Sequence, residues 1–181
     1  MRISKACFLI LACGLAAAKV SAQDLRPSGW LIEAGTGGAA TRNATVGAVW
    51  KWRWHPAWLG TELDGVTEAY ISEWNSLTPT GRRNFTQVGV VPLLRLPAAA
   101  AGSRWYAEAG IGLSMTDPLF TTVDKQFSTR FNFIDIVGAG VKLGAYRSHE
   151  VGLRISHSSN GGIRKPNPGQ NFLQLRYASA F

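Results

Sequence analysis

The chain has 181 residues, 46% of them hydrophobic, with 19 Lys and Arg against 11 Asp and Glu for a formal charge of +8. The basic residues are scattered along alternating segments rather than gathered in one stripe, which argues against a nucleic-acid partner. Both cysteines, Cys7 and Cys13, fall in an apparent leader, so the processed chain is expected to carry no disulfide, no thiolate nucleophile and no cysteine-ligated metal.

The leader has the three parts of a secretory signal. Arg2 and Lys5 supply a positive start, Ala6 to Ala18 is apolar but too short to span a bilayer, and Val20-Ser21-Ala22 is a small-residue cleavage site. Cleavage before Gln23 leaves 23–181 as one domain. Arg2, Lys5 and Lys19 leave with the leader and no acid does, so the formal charge falls by three to +5. Ile10-Leu11-Ala12-Cys13 is loosely like a lipoprotein box, but the apolar run before Cys13 is very short and the better site at Ala22 would go unused.

No later segment offers the unbroken apolar run of a transmembrane helix. Short stretches alternate in character instead, separated by Gly, Pro, Asn and Thr clusters, as half-buried strands do. In chain order they fall at about 28–35, 44–54, 62–74, 86–96, 104–114, 129–143, 149–159 and 171–181. In the second, Val46, Ala48, Trp50, Trp52 and Trp54 share a face opposite Lys51 and Arg53. The third sets Glu62, Asp64 and Glu68 against Leu63, Ala69 and Ile71. In the fifth, Glu108 lies opposite Trp105, Ala107, Ile111 and Leu113. The sixth is untidy: Asp135 falls among Phe131, Phe133 and Val137, while Ile134 and Ile136 face the other way. The seventh places Arg154 opposite its apolar residues, and the eighth places Gln174 and Arg176 opposite Leu173, Leu175, Tyr177 and Phe181.

Two closed barrels can bury such faces. A lipocalin-like barrel turns the apolar residues inward; an outer-membrane barrel turns them outward and pairs charges in a narrow lumen. Three features favour the second. Trp and Tyr gather near strand ends as interfacial girdles do. Charges of both signs fall on the faces that would line the lumen. The chain ends in Phe181 after alternating hydrophobics, which resembles the assembly signal of outer-membrane barrels. The expected fold is therefore an all-β, eight-stranded antiparallel outer-membrane β-barrel over 23–181. Eight strands enclose only enough room for side chains, so function is expected on the loops or the outer wall.

On the seventh segment Val151, Leu153, Ile155, His157 and Ser159 share one face. A base and a hydroxyl on the greasy side of a strand make sense if that side meets lipid and the substrate is a lipid. With both chain ends in the periplasm, the seventh strand runs outward, so His157 and Ser159 fall near its outer end. Segment 160–170 is then an extracellular loop, and the pair faces the outer leaflet.

The run His157-x-Ser159-Asn160-Gly161-Gly162-Ile163, with Pro166-Asn167 beyond it and Phe181 at the end, resembles the lipid A 3-O-deacylase (PagL) family. The resemblance is strongest over about the last thirty residues. It implies a serine esterase that removes the 3-linked hydroxyacyl chain of lipid A in lipopolysaccharide and needs no cofactor or metal. Ser159 is the implied nucleophile, His157 its general base, and the Asn160 side chain and Gly162 N–H the oxyanion hole. A serine hydroxyl is a weak nucleophile without an adjacent base, and imidazole is suited to take its proton and return it. The family's histidine-orienting glutamate maps to Asn171, whose amide oxygen can fix the imidazole tautomer but cannot neutralise its positive charge.

Arg164 and Lys165, just beyond, are candidates for a lipid A phosphate, set against an ordinary solvated loop end. His55 and His149 read as turn or interfacial residues. Asp117, Asp124 and Asp135 lack calcium-loop spacing, and Gly35-Thr36-Gly37-Gly38 opens no phosphate-binding helix. The rival readings are a non-catalytic structural or adhesive barrel and a soluble extracytoplasmic lipid-binding barrel.

Overall fold

The computed structural model describes residues 25–58, 61–98 and 102–181. The expected leader, its cleavage point before Gln23 and both cysteines lie outside the described residues. Eight antiparallel strands close into a barrel in the order β1-β10-β9-β8-β7-β6-β5-β2. They are β1 (Gly29–Gly37), β2 (Thr41–Lys51), β5 (Asp64–Thr78), β6 (Gly81–Pro97), β7 (Trp105–Asp117), β8 (Phe131–Leu143), β9 (His149–Ser159) and β10 (Gln170–Ala180). A two-stranded hairpin, β3 (Ala57–Trp58) and β4 (Thr61–Glu62), stands apart in the β2–β5 connection. Closure joins the first strand to the last, Gly29 opposite Ala180 through Gly37 opposite Phe172, so no sheet edge is left.

The alternation seen in the sequence becomes an inside and an outside. Ile32, Val46, Val88, Leu113, Val137, Leu153 and Leu175 point outward and are each about half exposed, between 46% and 59%. The lumen instead holds four glutamates and three arginines. Arg154 reaches Glu33 at 2.6 Å, Glu68 at 2.7 Å and Glu108 at 2.5 Å. Arg95 bridges Glu108 and Glu150, both at 3.0 Å, and Arg176 bridges Glu68 at 2.7 Å and Glu150 at 2.9 Å. Arg154 and Arg176 are at most 1% exposed. Burying such charges is tolerable only because each is paired and hydrogen-bonded. This polarity is the reverse of a lipocalin's.

Toward the end carrying the β7–β8 and β9–β10 loops, the lumen is closed by aromatic rings. Phe120 and Phe127, from the β7–β8 loop, turn inward, and Phe120 packs at 5.1 Å on Trp74 and at 5.0 Å on both Phe85 and Phe127. Phe172 meets Trp74 at 4.8 Å. The barrel is a filled cylinder, and its interior offers no route for a substrate.

Three sequence expectations shift. The second strand begins earlier, at Thr41, and stops at Lys51 rather than running on to Trp54. The Trp52 ring lies against Gly65, where a Cβ would sit 1.9 Å from the ring, and its indole N–H donates to Thr67 at 2.9 Å. That seat pulls the chain off the ladder, so Lys51 and Arg53 are exposed at the rim, outside the ion cluster. Glu62 sits exposed in the small hairpin instead of the lumen. The lumenal partners that the alternation did not single out are Glu33, Arg95 and Glu150.

Candidate active site

Strand β9 is flanked by β8 and β10, and this pairing sets what surrounds each outward residue. His157 lies between Asn171 on β10 and Asp135 on β8. Ser159, two residues on and on the same outer face, lies beside Phe133. Below His157 comes Ile155, between Val137 and Leu173; below that, Leu153, between Ala139 and Leu175. The polar pair therefore tops a ladder of aliphatic side chains on the outer wall.

His157 Nδ1 and Asn171 Oδ1 are 2.5 Å apart. An amide oxygen only accepts, so Nδ1 carries the ring proton and the Nε2 lone pair is left available as a base. The Cε1–Nε2 edge is packed by Gly169. A Cβ there would lie 2.5 Å from Cε1 and 3.1 Å from Nε2, and the residue has φ +63°, so both space and backbone require glycine. The Ser159 hydroxyl makes no hydrogen bond in the structure. It shares the outer face with His157, and free-enzyme contacts between nucleophile and base are often made only when substrate binds.

Asn160 points the other way and is 2% exposed. Its amide N–H groups donate to Ser128 Oγ at 2.9 Å and the Arg164 carbonyl at 2.8 Å, and its Oδ1 accepts the Gly162 N–H at 2.9 Å. Asn160 and Gly162 are thus brought together, but in the free enzyme they bind each other and the loop. The β9–β10 loop is fastened further by Asn167, which accepts the Asn160 N–H at 3.0 Å, and by Lys125, which donates to the Gly169 carbonyl at 3.1 Å. The Arg164 and Lys165 side chains are exposed at the tip of this loop, away from the lumen.

The sequence reading passed over two neighbours of this site. Gly169 gave no local signal, since its closeness to His157 arises only from the loop's return. Asp135 did give one: it is the carboxylate that broke the apolar face of the sixth segment. In the structure that break is real, with Ile134 and Ile136 buried in the lumen and Asp135 outside, next to His157. His149, read as a turn residue, opens β9 on the outer face and pairs with the Tyr177 hydroxyl at 2.8 Å. His55 remains in the β2–β5 connection, 3.6 Å from Asp64.

A charged lumen inside an apolar outer belt is the polarity of an outer-membrane barrel, and Ser159 and His157 lie on that belt. The family model described as lipid A 3-O-deacylase (PagL) matches residues 42–180. The chain belongs to that family. It is similar to the lipid A deacylase PagL of Bordetella bronchiseptica, with 31% identity over 100% of this chain and 98% of that one. It is also similar to the lipid A deacylase PagL of Pseudomonas aeruginosa, with 27% identity over 81% of this chain and 83% of that protein. The crystal structure of the outer membrane enzyme PagL shares the fold, with a TM-score of 0.70 and 23% identity over 84% of this chain and 99% of its own.

Proposed function

We propose that this chain deacylates lipid A in the outer leaflet of the outer membrane, cleaving the ester of the 3-linked hydroxyacyl chain through an acyl-enzyme on Ser159. The observation that carries this reading is the placement of His157 and Ser159 on the lipid side of the wall, directly above an aliphatic ladder. An acyl chain lying along Ile155, Leu173, Leu153 and Val137 brings its ester level with the serine.

His157 Nε2 takes the proton as Ser159 Oγ bonds to the ester carbonyl carbon. The carbonyl oxygen becomes an oxyanion, for which the donors are the Gly162 N–H once it leaves Asn160 Oδ1 and the Asn160 amide once its N–H groups leave Ser128 Oγ and the Arg164 carbonyl. One such donor contributes on the order of 3 kcal/mol to the transition state. Collapse breaks the bond to the sugar oxygen, which leaves with the proton from His157. Water, deprotonated by the same imidazole, then releases the fatty acid and restores Ser159. Asn171 holds the tautomer that this sequence needs. It carries no charge, and Asp135 on the opposite flank is the carboxylate able to steady the imidazolium. Arg164 and Lys165 stand at the loop tip, where a lipid A phosphate would lie. The barrel is membrane-embedded in this reading, with the β9–β10 loop outside the cell.

Mass spectrometry of lipid A from cells expressing the wild type or Ser159→Ala tests the proposal. Loss of one hydroxyacyl group with the wild type alone is expected. Identical spectra with folded barrel present would instead mark a non-catalytic barrel.

A further inference from the structure

The outer wall is interrupted by polar side chains at a second place, on β2, β5 and β6. In the closed strand order β5 is four strands from β9 in either direction, so this patch faces away from the catalytic pair. Arg42, Asn75 and Asn84 lie side by side across the three strands, all on the outer face. The Asn75 amide donates to Asn84 Oδ1 at 2.6 Å. Arg82, one step further up β6, donates from Nη1 to Asn75 Oδ1 at 2.9 Å and to the Ala40 carbonyl at 3.3 Å. Ala39 and Ala40 form the β1–β2 turn at φ +56° and +49°, a left-handed geometry strained for residues other than glycine. That turn presents the carbonyl that fixes the Arg82 guanidinium.

Arg82 is thus hydrogen-bonded to Asn75, and Arg42 is the register partner of the same asparagine on the other side of β5. Among the described residues no carboxylate is within salt-bridge distance of either, and the Arg42 side chain makes no hydrogen bond. The acid on the same face is Glu73, whose Oε2 accepts from Thr86 at 2.8 Å. Arg42 and Arg82 put two like charges on the strands either side of β5, and planar guanidiniums with amide groups alongside match a phosphate. The patch lies at the same end of the barrel as Ser159 and on the wall, not in the lumen.

We infer that Arg42 and Arg82, with Asn75 and Asn84, form a second, non-catalytic site for the phosphate of a phosphorylated glycolipid in the same leaflet as the substrate. The inference rests on the outward orientation of the loop end given above. It makes the barrel a two-sided guest of the glycolipid leaflet, with one lipid processed on β9 and another held on β5.

The test uses the full barrel in neutral detergent, with Ser159→Ala to prevent turnover, and native mass spectrometry with bisphosphorylated lipid A. Two bound lipids are expected. Arg42→Gln with Arg82→Gln should remove one, raising its apparent Kd about tenfold or more. Lipid A stripped of phosphate should fill only one site, and neither phosphatidylglycerol nor inorganic phosphate should compete for the second. Unchanged stoichiometry in the double variant, equal binding of dephosphorylated lipid A, or full competition by phosphatidylglycerol would each overturn the inference. Arg42→Gln alone serves if the double variant fails to fold, because that side chain supports nothing else. In a Ser159 background, hydrolysis of a short soluble ester by Arg42→Gln should equal wild type. If Ser159→Ala fails to abolish turnover, the catalytic reading falls while the lipid count still judges this site.

Discussion

The lumen and the outer wall use the same kinds of polar group to opposite ends. In the lumen, Arg154 contacts three carboxylates and Glu68 is held by both Arg154 and Arg176, so each charge is matched within a close-packed interior. On the wall, the Ser159 hydroxyl has no hydrogen-bond partner among the described residues and His157 has one ring nitrogen engaged, by Asn171. A charge met by opposite charges is structural; an unmet valence beside an apolar track leaves a group available to a substrate. In the proposed function, this difference is what puts the chemistry of a barrel with many buried acids and bases on its outside.

The sharpest way to break this contrast is to remove one group from each side. Ser159→Ala should lower deacylation by about 10⁴-fold or more, while the mobility shift on heating and the urea midpoint stay as in wild type. A residual rate within tenfold of wild type would remove Ser159 as nucleophile. Arg154→Met should do the reverse. Leaving Glu33, Glu68 and Glu108 without their shared partner should cost about 3–5 kcal/mol of stability, read from urea unfolding in lipid vesicles, with the rate per folded molecule little changed. A barrel of unaltered stability would mean that the lumenal network is not what holds the cylinder.

Smaller effects sharpen the wall side. Asn171→Ala should lower kcat about 10- to 100-fold by freeing the imidazole tautomer, and Asn171→Glu should match or exceed wild type. If Glu at 171 were as damaging as Ser159→Ala, Asn171 would have no orienting role. Asp135→Asn should lower kcat by about tenfold, the effect of losing roughly 1.4 kcal/mol of imidazolium stabilisation, with KM unchanged. A change confined to KM would place Asp135 in substrate contact instead.

Much of this was legible in the chain itself. Strand β9 was delimited to the residue, and the sidedness of Glu68, Glu108, Arg154 and Arg176 followed from parity. So did the shared outward face of His157 and Ser159. The tail of β2 was misread because Trp52 and Trp54 continue the alternation perfectly; only the slot over Gly65, contributed by another strand, draws the ring away. Asn160 and Gly162 came with the motif, but their mutual hydrogen bond depends on how the loop folds back on Ser128 and Arg164.

The chain by itself determined which way each strand residue points, because side-chain direction in an extended backbone repeats every two residues and needs no partner. Tertiary structure decided what each residue meets. Closure of β1 on β10 and the register of β8, β9 and β10 put Asp135, Asn171 and Gly169 around one imidazole. Pairing between strands is set by packing over the whole cylinder, and no local stretch of sequence carries that information.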